Sequence, residues 1–132
     1  TRTWSPGDVV TLDLAMPVER VYARPEVRAN AGRVALQRGP IVYALESCDN
    51  GTNLDALTLP RDATLSAHRD PDLLGGVVVV EADGMRTIAD PSWAGLYRPR
   101  ANASRAARLM AVPYYAWANR EPGEMIVWIR EG

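Results

Sequence analysis

Apolar and polar side chains alternate with a period of two along much of this chain. Val10, Leu12 and Leu14, for example, alternate with Thr11 and Asp13. Because successive side chains of a strand point to opposite faces of a sheet, this pattern predicts a half-buried strand. By the same criterion, short strands are predicted over residues 10–16, 20–23, 26–29, 33–38, 41–46, 54–59, 63–67, 77–80, 85–88, 109–117 and 125–130.

Residues that favour tight turns separate these strands. Asn30-Ala31-Gly32 and Asp83-Gly84 each predict a β-hairpin, because glycine reaches positive φ at little cost. Gly39-Pro40 interrupts an apolar run and predicts a bulge or bend, since proline cannot donate a hydrogen bond to a central strand. Pro122-Gly123 favours a type II turn between the last two predicted strands.

This series of elements predicts an all-β fold. Since residues 20–23 continue the strand at 10–16 beyond Pro17, we expect about eight to ten short strands, and the only helical feature is a turn at residues 104–108, at the end of the polar loop 90–105. Many short strands with frequent turns favour a two-sheet antiparallel β-sandwich of the jelly-roll kind. With 132 residues, of which 47% are hydrophobic and 23% charged, the chain is expected to form one domain over residues 1–132.

Composition excludes several function classes. The net charge of −1 creates no field that would attract nucleic acid, and no apolar run has the ~20 residues of a membrane-spanning helix. Cys48 is the one cysteine, which excludes an internal disulfide and a multi-cysteine zinc site, so no metal or cofactor is predicted in this chain. Since the sequence begins at Thr1 in the approach to a strand, we expect a longer polypeptide, and the compartment stays undecided.

Candidates for catalysis are few. Cys48 and His68 are the one possible thiol–imidazole pair, but their spacing does not place them within hydrogen-bond reach, and we interpret them as a strand-end cysteine and a surface histidine. Glu46 ends a strongly apolar strand and is the acidic candidate, with a salt bridge or loop anchor favoured over a glycosidase acid. No catalytic residue is therefore predicted. A ring of calcium ligands is a weaker alternative, at Asp49, Asn50, Asn53 and Asp55.

Aromatic residues near the end of the chain offer a recognition surface. Tyr115 and Trp117 would share one face of the predicted strand 109–117, with Tyr114 on the opposite face. Tyr and Trp combine an apolar body with a polar tip, which suits an interface to another domain, the interpretation we favour. A sugar-stacking platform of a carbohydrate-binding module and the interface of an oligomerisation domain remain alternatives. The candidates for interface or sugar stacking are Tyr114, Tyr115, Trp117, Trp128, Arg38 and Tyr43.

Two longer motifs carry a family resemblance: RGPIVYALE at residues 38–46 and PYYAWANREPGEMIVWI at residues 113–129. The pattern of Arg2, Trp4, Gly7 and Asp8 accompanies them near the start of the chain. These motifs resemble the C-terminal region of glycoside hydrolase family 127, the β-L-arabinofuranosidases and related proteins long described as a domain of unknown function. The resemblance extends along almost the whole chain, and its middle part is the least distinctive.

The resemblance implies that this chain works within a larger protein. In that family an (α/α)6 helical barrel carries the active site, with a zinc-bound cysteine nucleophile and a glutamate acid/base, and β-sandwich domains follow the barrel. None of those groups maps onto Cys48 or His68. The implied function is therefore a non-catalytic accessory β-sandwich that docks on the catalytic barrel of the same polypeptide, with zinc confined to the barrel. The strands around residues 38–43 and 114–117 are the candidates for the contact surface.

Overall fold

Strands dominate the computed structural model, which describes residues 2–132. The strands are β1 (Val18–Val21), β2 (Arg33–Arg38), β3 (Ile41–Glu46), β4 (Leu57–Leu59), β5 (Ser66–Asp70), β6 (Val77–Thr87), β7 (Ser104–Pro113), β8 (Met125–Ile126) and β9 (Ile129–Glu131). The helical segments are one short helix, α1 (Ser47–Asn50), and 3₁₀ turns at Arg28–Asn30, Leu54–Ala56 and Tyr114–Ala116. The predicted all-β class is confirmed. No helix in residues 2–132 has the length and apolar character that crossing a membrane requires.

The strands pair around a closed circuit. Their order is β1-β2-β9-β4-β6-β7-β3-β8, with β5 attached to β6 and a further pairing between β2 and β3. Six of these strands follow one another in the order β2-β9-β4-β6-β7-β3. The pairing of β2 with β3 closes this series, so the six strands surround the core. One pairing, β4 with β9, is parallel, so the sheet is mixed where the prediction was purely antiparallel. No tight turn connects β4 to β9, and their relative direction was therefore not readable from the sequence.

Strand β6 separates a main core from a smaller apolar cluster on its other face. Val80 and Ala82 point into the main core, whereas Val77 and Val79 point the opposite way. A continuous valine run is expected for a strand that is buried on both faces. The main core consists of Val34, Leu36, Tyr43, Leu45, Leu54, Leu57, Leu59, Val80, Ala82, Leu109, Ala111 and Ile129. The smaller group, which we call the outer cluster, consists of Val77, Val79, Val112 and Ala116.

Glycine at two positions has a different role from the one predicted. Gly84 lies inside β6 opposite Ala107, so Asp83-Gly84 makes no hairpin turn. A Cβ atom at Gly84 would stand 2.7 Å from Leu109 Cδ1, so glycine is needed there for close packing. Gly39, with φ of +55°, is the first residue of a two-residue turn that joins Arg38 to its partner Ile41. The predicted bulge is therefore a hairpin turn between β2 and β3.

Three other local predictions are wrong. Residues 104–108 extend β7 and pair with β6, so the predicted helical turn is absent. The strand predicted at 109–117 is shorter, because β7 ends at Pro113, and the strand predicted at 125–130 is divided into β8 and β9, which pair with β3, β2 and β4. Residues 26–29 contain part of a 3₁₀ turn instead of a strand. At residues 104–108 pairing with β6 outweighed the local pattern.

The N-terminal segment departs from the prediction most clearly. Residues 9–16 carry the alternating pattern of a half-buried strand, but they form no secondary structure and pair with no strand among the described residues. All of them are exposed except Met16, which is partly buried beside the turn at Gly39.

Candidate functional site

An exposed group of aromatic side chains follows the end of β7. The chain leaves β7 at Pro113 and makes a 3₁₀ turn, so Tyr114, Tyr115 and Trp117 do not alternate across a strand as predicted. Their exposed fractions are 45%, 67% and 37%, which leaves all three available to a partner. We call residues 114–117 the aromatic turn.

The aromatic turn has a fixed shape. The rings of Tyr114 and Trp117 pack on each other, with centroids 6.2 Å apart and planes inclined by 40°. Between them Ala116 is buried in the outer cluster, on the face of β6 and β7 opposite the main core. The buried side chain of Ala116 therefore fixes the turn to the sheet, while its aromatic side chains are exposed.

A buried ion-pair cluster holds the segment that follows the aromatic turn. Arg120 Nη1 donates to Asp49 Oδ1 at 2.6 Å, and Arg120 Nη2 donates to Glu46 Oε2 at 2.6 Å. The other oxygen of Glu46 accepts the backbone N–H of Ala118 at 3.0 Å. Ala118 has φ of +60°, a conformation that a non-glycine residue rarely adopts, and the Glu46 carboxylate helps to hold it. We call Glu46, Asp49 and Arg120 the acid–arginine cluster.

The electrostatics of the acid–arginine cluster favour a structural role. The hydrogen bond that Arg120 donates to Asp49 raises the pKa of Arg120, burial opposes this shift, and the hydrogen bond that Arg120 donates to Glu46 adds to it. The side chains of Glu46 and Asp49 are only 6% and 9% exposed, and Arg120 binds both carboxylates, although Glu46 also lines the cleft beside Trp117. The loop-anchoring role that the sequence favoured for Glu46 agrees with this geometry.

Glu46, Cys48 and Asp49 form the one group of three potential metal ligands among the described residues, with ligand atoms within 4.8 Å of one another. Burial, followed by the negative charge of Asp49, raises the pKa of the Cys48 thiol, which disfavours the thiolate that binds zinc. Both carboxylates are already bound by Arg120. The donor set therefore does not fit the zinc ion that the family resemblance implies for the catalytic domain.

The structure separates the other candidate pairs. His68 is on β5, where its Nδ1 lies 3.5 Å from Glu81, whereas Cys48 is beside the acid–arginine cluster. The oxygens considered for calcium are divided among other partners: Asp49 binds Arg120 and Asp55 binds Arg33. Asn50 is buried and bonded to the backbone of Glu46 and Met110, which ties α1 to β7.

Three of the predicted contact residues are less exposed than Tyr114, Tyr115 and Trp117. Tyr43 is 1% exposed and belongs to the main core, so it is removed from the predicted surface. Burial raises the pKa of its hydroxyl, and the positive charge of Arg38 opposes this shift. Arg38 itself is half-buried, with Nη1 3.9 Å from the sulfur of Met16. Trp128 is half-buried and lines a different cavity together with Arg33.

Sequence reasoning missed Arg120, the residue that organises the cluster. Its partners Asp49 and Glu46 precede it by 71 and 74 positions, and no periodic pattern connects residues so far apart. Glu124 was missed for the same reason, although its carboxylate accepts the backbone N–H of Asn53 and Leu54. The one available signal was that both residues lie within the motif at residues 113–129.

Known proteins match this chain over most of its length. The sequence model of the glycoside hydrolase family 127 C-terminal domain matches residues 18–130. A non-reducing end β-L-arabinofuranosidase of Bifidobacterium longum subsp. longum is 43% identical over 128 residues, which cover 92% of this chain and 19% of that protein.

Solved structures agree with this match. The crystal structure of a family 127 β-L-arabinofuranosidase from Geobacillus stearothermophilus T6 is 56% identical, with a TM-score of 0.84 over 89% of this chain and 18% of that one. A second family 127 β-arabinofuranosidase is 33% identical, with a TM-score of 0.78 over 89% of this chain and 17% of that one. This chain thus spans less than a fifth of the length of these relatives. It belongs to the family of glycoside hydrolase family 127 C-terminal domains.

Proposed function

We propose that this chain is a non-catalytic accessory domain of a β-L-arabinofuranosidase-like glycoside hydrolase. Relatives with that activity in their names are about five times longer than the matched region, which leaves room for a separate catalytic domain. Within the described residues, the one buried acid pair is bound by Arg120 and serves to hold the backbone. The zinc-dependent chemistry implied by the resemblance then belongs to the helical catalytic domain.

The observation that carries this proposal is the exposed, anchored aromatic turn. Tyr114, Tyr115 and Trp117 supply a large apolar surface with polar tips, the chemistry that dominates stable interfaces. Ala116 and the acid–arginine cluster hold the turn, so little conformational entropy would be lost on docking. In the proposed arrangement, these side chains contact the helical catalytic domain of the same polypeptide and stabilise it.

The test is a comparison of thermal unfolding in the longer protein and in the isolated 132-residue chain. Tyr115→Ala should destabilise the longer protein by about 2 kcal/mol, the usual loss at an interface hot spot. The same change should leave the isolated chain almost unaffected, because Tyr115 is 67% exposed there. Tyr97→Ala is the matched control, since Tyr97 is 91% exposed but lies on the β6–β7 loop.

Two results would contradict the proposal. One is an unchanged unfolding temperature for Tyr115→Ala in the longer protein. The other is turnover of a β-L-arabinofuranoside by the isolated chain, abolished by Glu46→Gln, which would make this chain catalytic.

A carbohydrate-binding site is the second candidate, because a cleft of about 370 Å³ lies beside Trp117 and is lined by Arg120 and Glu121. An aromatic face next to charged hydrogen-bonding groups suits a sugar ring. Calorimetric titration with arabinan-type oligosaccharides discriminates the two functions. Heat of binding that is lost in Trp117→Ala and kept in Trp93→Ala would favour the sugar site. If no heat is measured at millimolar ligand, the sugar site is excluded and the docking function is favoured.

A further inference from the structure

The N-terminal segment, residues 9–16, exposes apolar side chains along a stretch that has a strand pattern. Val10, Leu12 and Leu14 are 66%, 77% and 66% exposed. They occupy alternate positions, so in an extended conformation all three would lie on one face, with Val9, Thr11 and Asp13 on the other. A face of this kind is normally buried in water-soluble proteins, and a contiguous exposed one marks an interaction surface.

The backbone of this segment is also free to pair. None of the backbone hydrogen bonds within residues 2–132 involves residues 9–15. The end of the segment is attached to the domain, where the Met16 side chain packs beside Gly39. Before the segment, Asp8 accepts the backbone N–H of Ser5 at 2.8 Å in a local turn of exposed residues. Among the described residues, the segment is therefore an unpaired stretch that joins the domain at Met16.

We propose that residues 9–16 form a β-strand in the sheet of a second β domain, built from polypeptide that precedes this chain in the longer protein. Within residues 2–132 the segment has an unpaired backbone and an exposed apolar face. A free sheet edge accounts for both, because it offers hydrogen bonds to the backbone groups of the segment and a core that buries its apolar side chains. A helical surface would cover the apolar side chains but leave the backbone unpaired. This inference rests on the proposed membership of a longer glycoside hydrolase, but it does not depend on the aromatic turn.

The residues covered by the family match indicate that the proposed β domain precedes this chain in the longer protein. The C-terminal domain model begins at Val18, so residues 9–16 lie outside it. The relatives are much longer than this chain, and a C-terminal domain has its remaining polypeptide before it. A second copy of this chain fits less well, because the outermost strands of its sheet are β1, β5 and β8, of 4, 5 and 2 residues. These edges are too short to pair an eight-residue strand.

Hydrogen exchange tests the proposal, with the amides of residues 10–16 measured in the isolated chain and in the longer protein. We expect rapid exchange in the isolated chain and at least about tenfold slower exchange in the longer protein. Leu12→Asp should remove this protection, whereas Thr11→Asp, one position away on the opposite face, should retain it. If Leu12→Asp prevents the longer protein from folding, Leu12→Thr keeps the strand propensity and should reduce the protection partially.

Equal, rapid exchange in both proteins would overturn the proposal and make the segment a simple linker. Protection that appears in the isolated chain and grows with its concentration would also overturn it, in favour of strand exchange between two copies. The proposed docking function is tested independently of this inference. If residues 10–16 are protected but Tyr115→Ala does not destabilise the longer protein, the strand is supported and the docking contact of the aromatic turn is contradicted.

Discussion

At the scale of single residues, Glu46 shows how a local signal acquires its meaning from a distant partner. Its position at the end of an apolar strand marked it as unusual. Its role depends on Arg120, which binds both Glu46 and Asp49 and whose side chain is 21% exposed. Removal of one member of a buried charge cluster leaves the others without compensation, and this usually costs more than the pair contributes.

We expect Glu46→Ala to lower the free energy of unfolding by about 2–3 kcal/mol, because it leaves Arg120 partly unpaired and the Ala118 N–H without its acceptor. Glu46→Gln should cost less, since the amide oxygen can still accept that N–H. Asp55→Asn is the control: its ion pair with Arg33 is solvent-exposed and should contribute less than about 1 kcal/mol. Urea unfolding measures all three, and equal effects of Glu46→Ala and Asp55→Asn would contradict the structural role.

Gly39 is a residue whose importance the sequence did reveal. The interruption at Gly39-Pro40 predicted a special backbone conformation, and the structure has φ of +55° there. A β-branched side chain is strained at positive φ, and its Cβ would also displace Met16, whose Cε atom stands 2.7 Å from the ideal position.

Gly39→Val should therefore destabilise the chain by about 1–3 kcal/mol, mostly through the backbone. Asn tolerates this conformation better, so Gly39→Asn should cost clearly less. Thermal unfolding of the isolated chain gives the comparison. An unchanged melting temperature for the valine variant would mean that the turn relaxes at no cost.

At the scale of elements, the long β6–β7 pair shows where turn signals mislead. Asp83-Gly84 is a strong hairpin signal, but β6 continues through it because eight residues of β7 pair with β6 from Val80 to Thr87. The true reversal is the loop at residues 88–103. In that loop Arg98 stacks on Trp93 at 4.0 Å and binds Asp90 and Asn102.

This loop should respond to acid. Hydrogen bonds from Ser92, and then from Arg98, lower the pKa of Asp90 from 3.8 to about 2. A lowered carboxyl pKa contributes stability above the unfolded value, and that contribution is lost as the pH falls through the folded value. We therefore expect the loop to loosen between about pH 4 and pH 2. The signal of the Trp93 indole N–H in NMR spectra follows this change. Asp90→Asn should show the loosened loop at neutral pH and lack the acid transition; identical acid profiles would contradict the assignment.

At the scale of the whole molecule, the most informative error concerns residues 9–16. The period of two predicts a strand over residues 10–16, but the structure has no strand there, and no strand within the described residues pairs with the segment. A hydrophobic pattern indicates that one face of a segment is buried, but it does not indicate which other element packs against that face. The proposed upstream sheet resolves the difference between the pattern and the exposed conformation.

Local periodicity, turn residues and the two long motifs were sufficient to determine the all-β class, strands β2 and β3, the special backbone at Gly39 and the family. The tertiary structure alone decided the closed strand circuit, the parallel β4–β9 pair, the joining of Glu46 with Arg120 and the turn that exposes Tyr114, Tyr115 and Trp117. The physical reason is range. A strand pattern is set by neighbours two positions apart. Ion pairs join residues much farther apart, such as Glu46 and Arg120 at 74 positions and Arg20 and Glu131 at 111, which only the folded chain brings together.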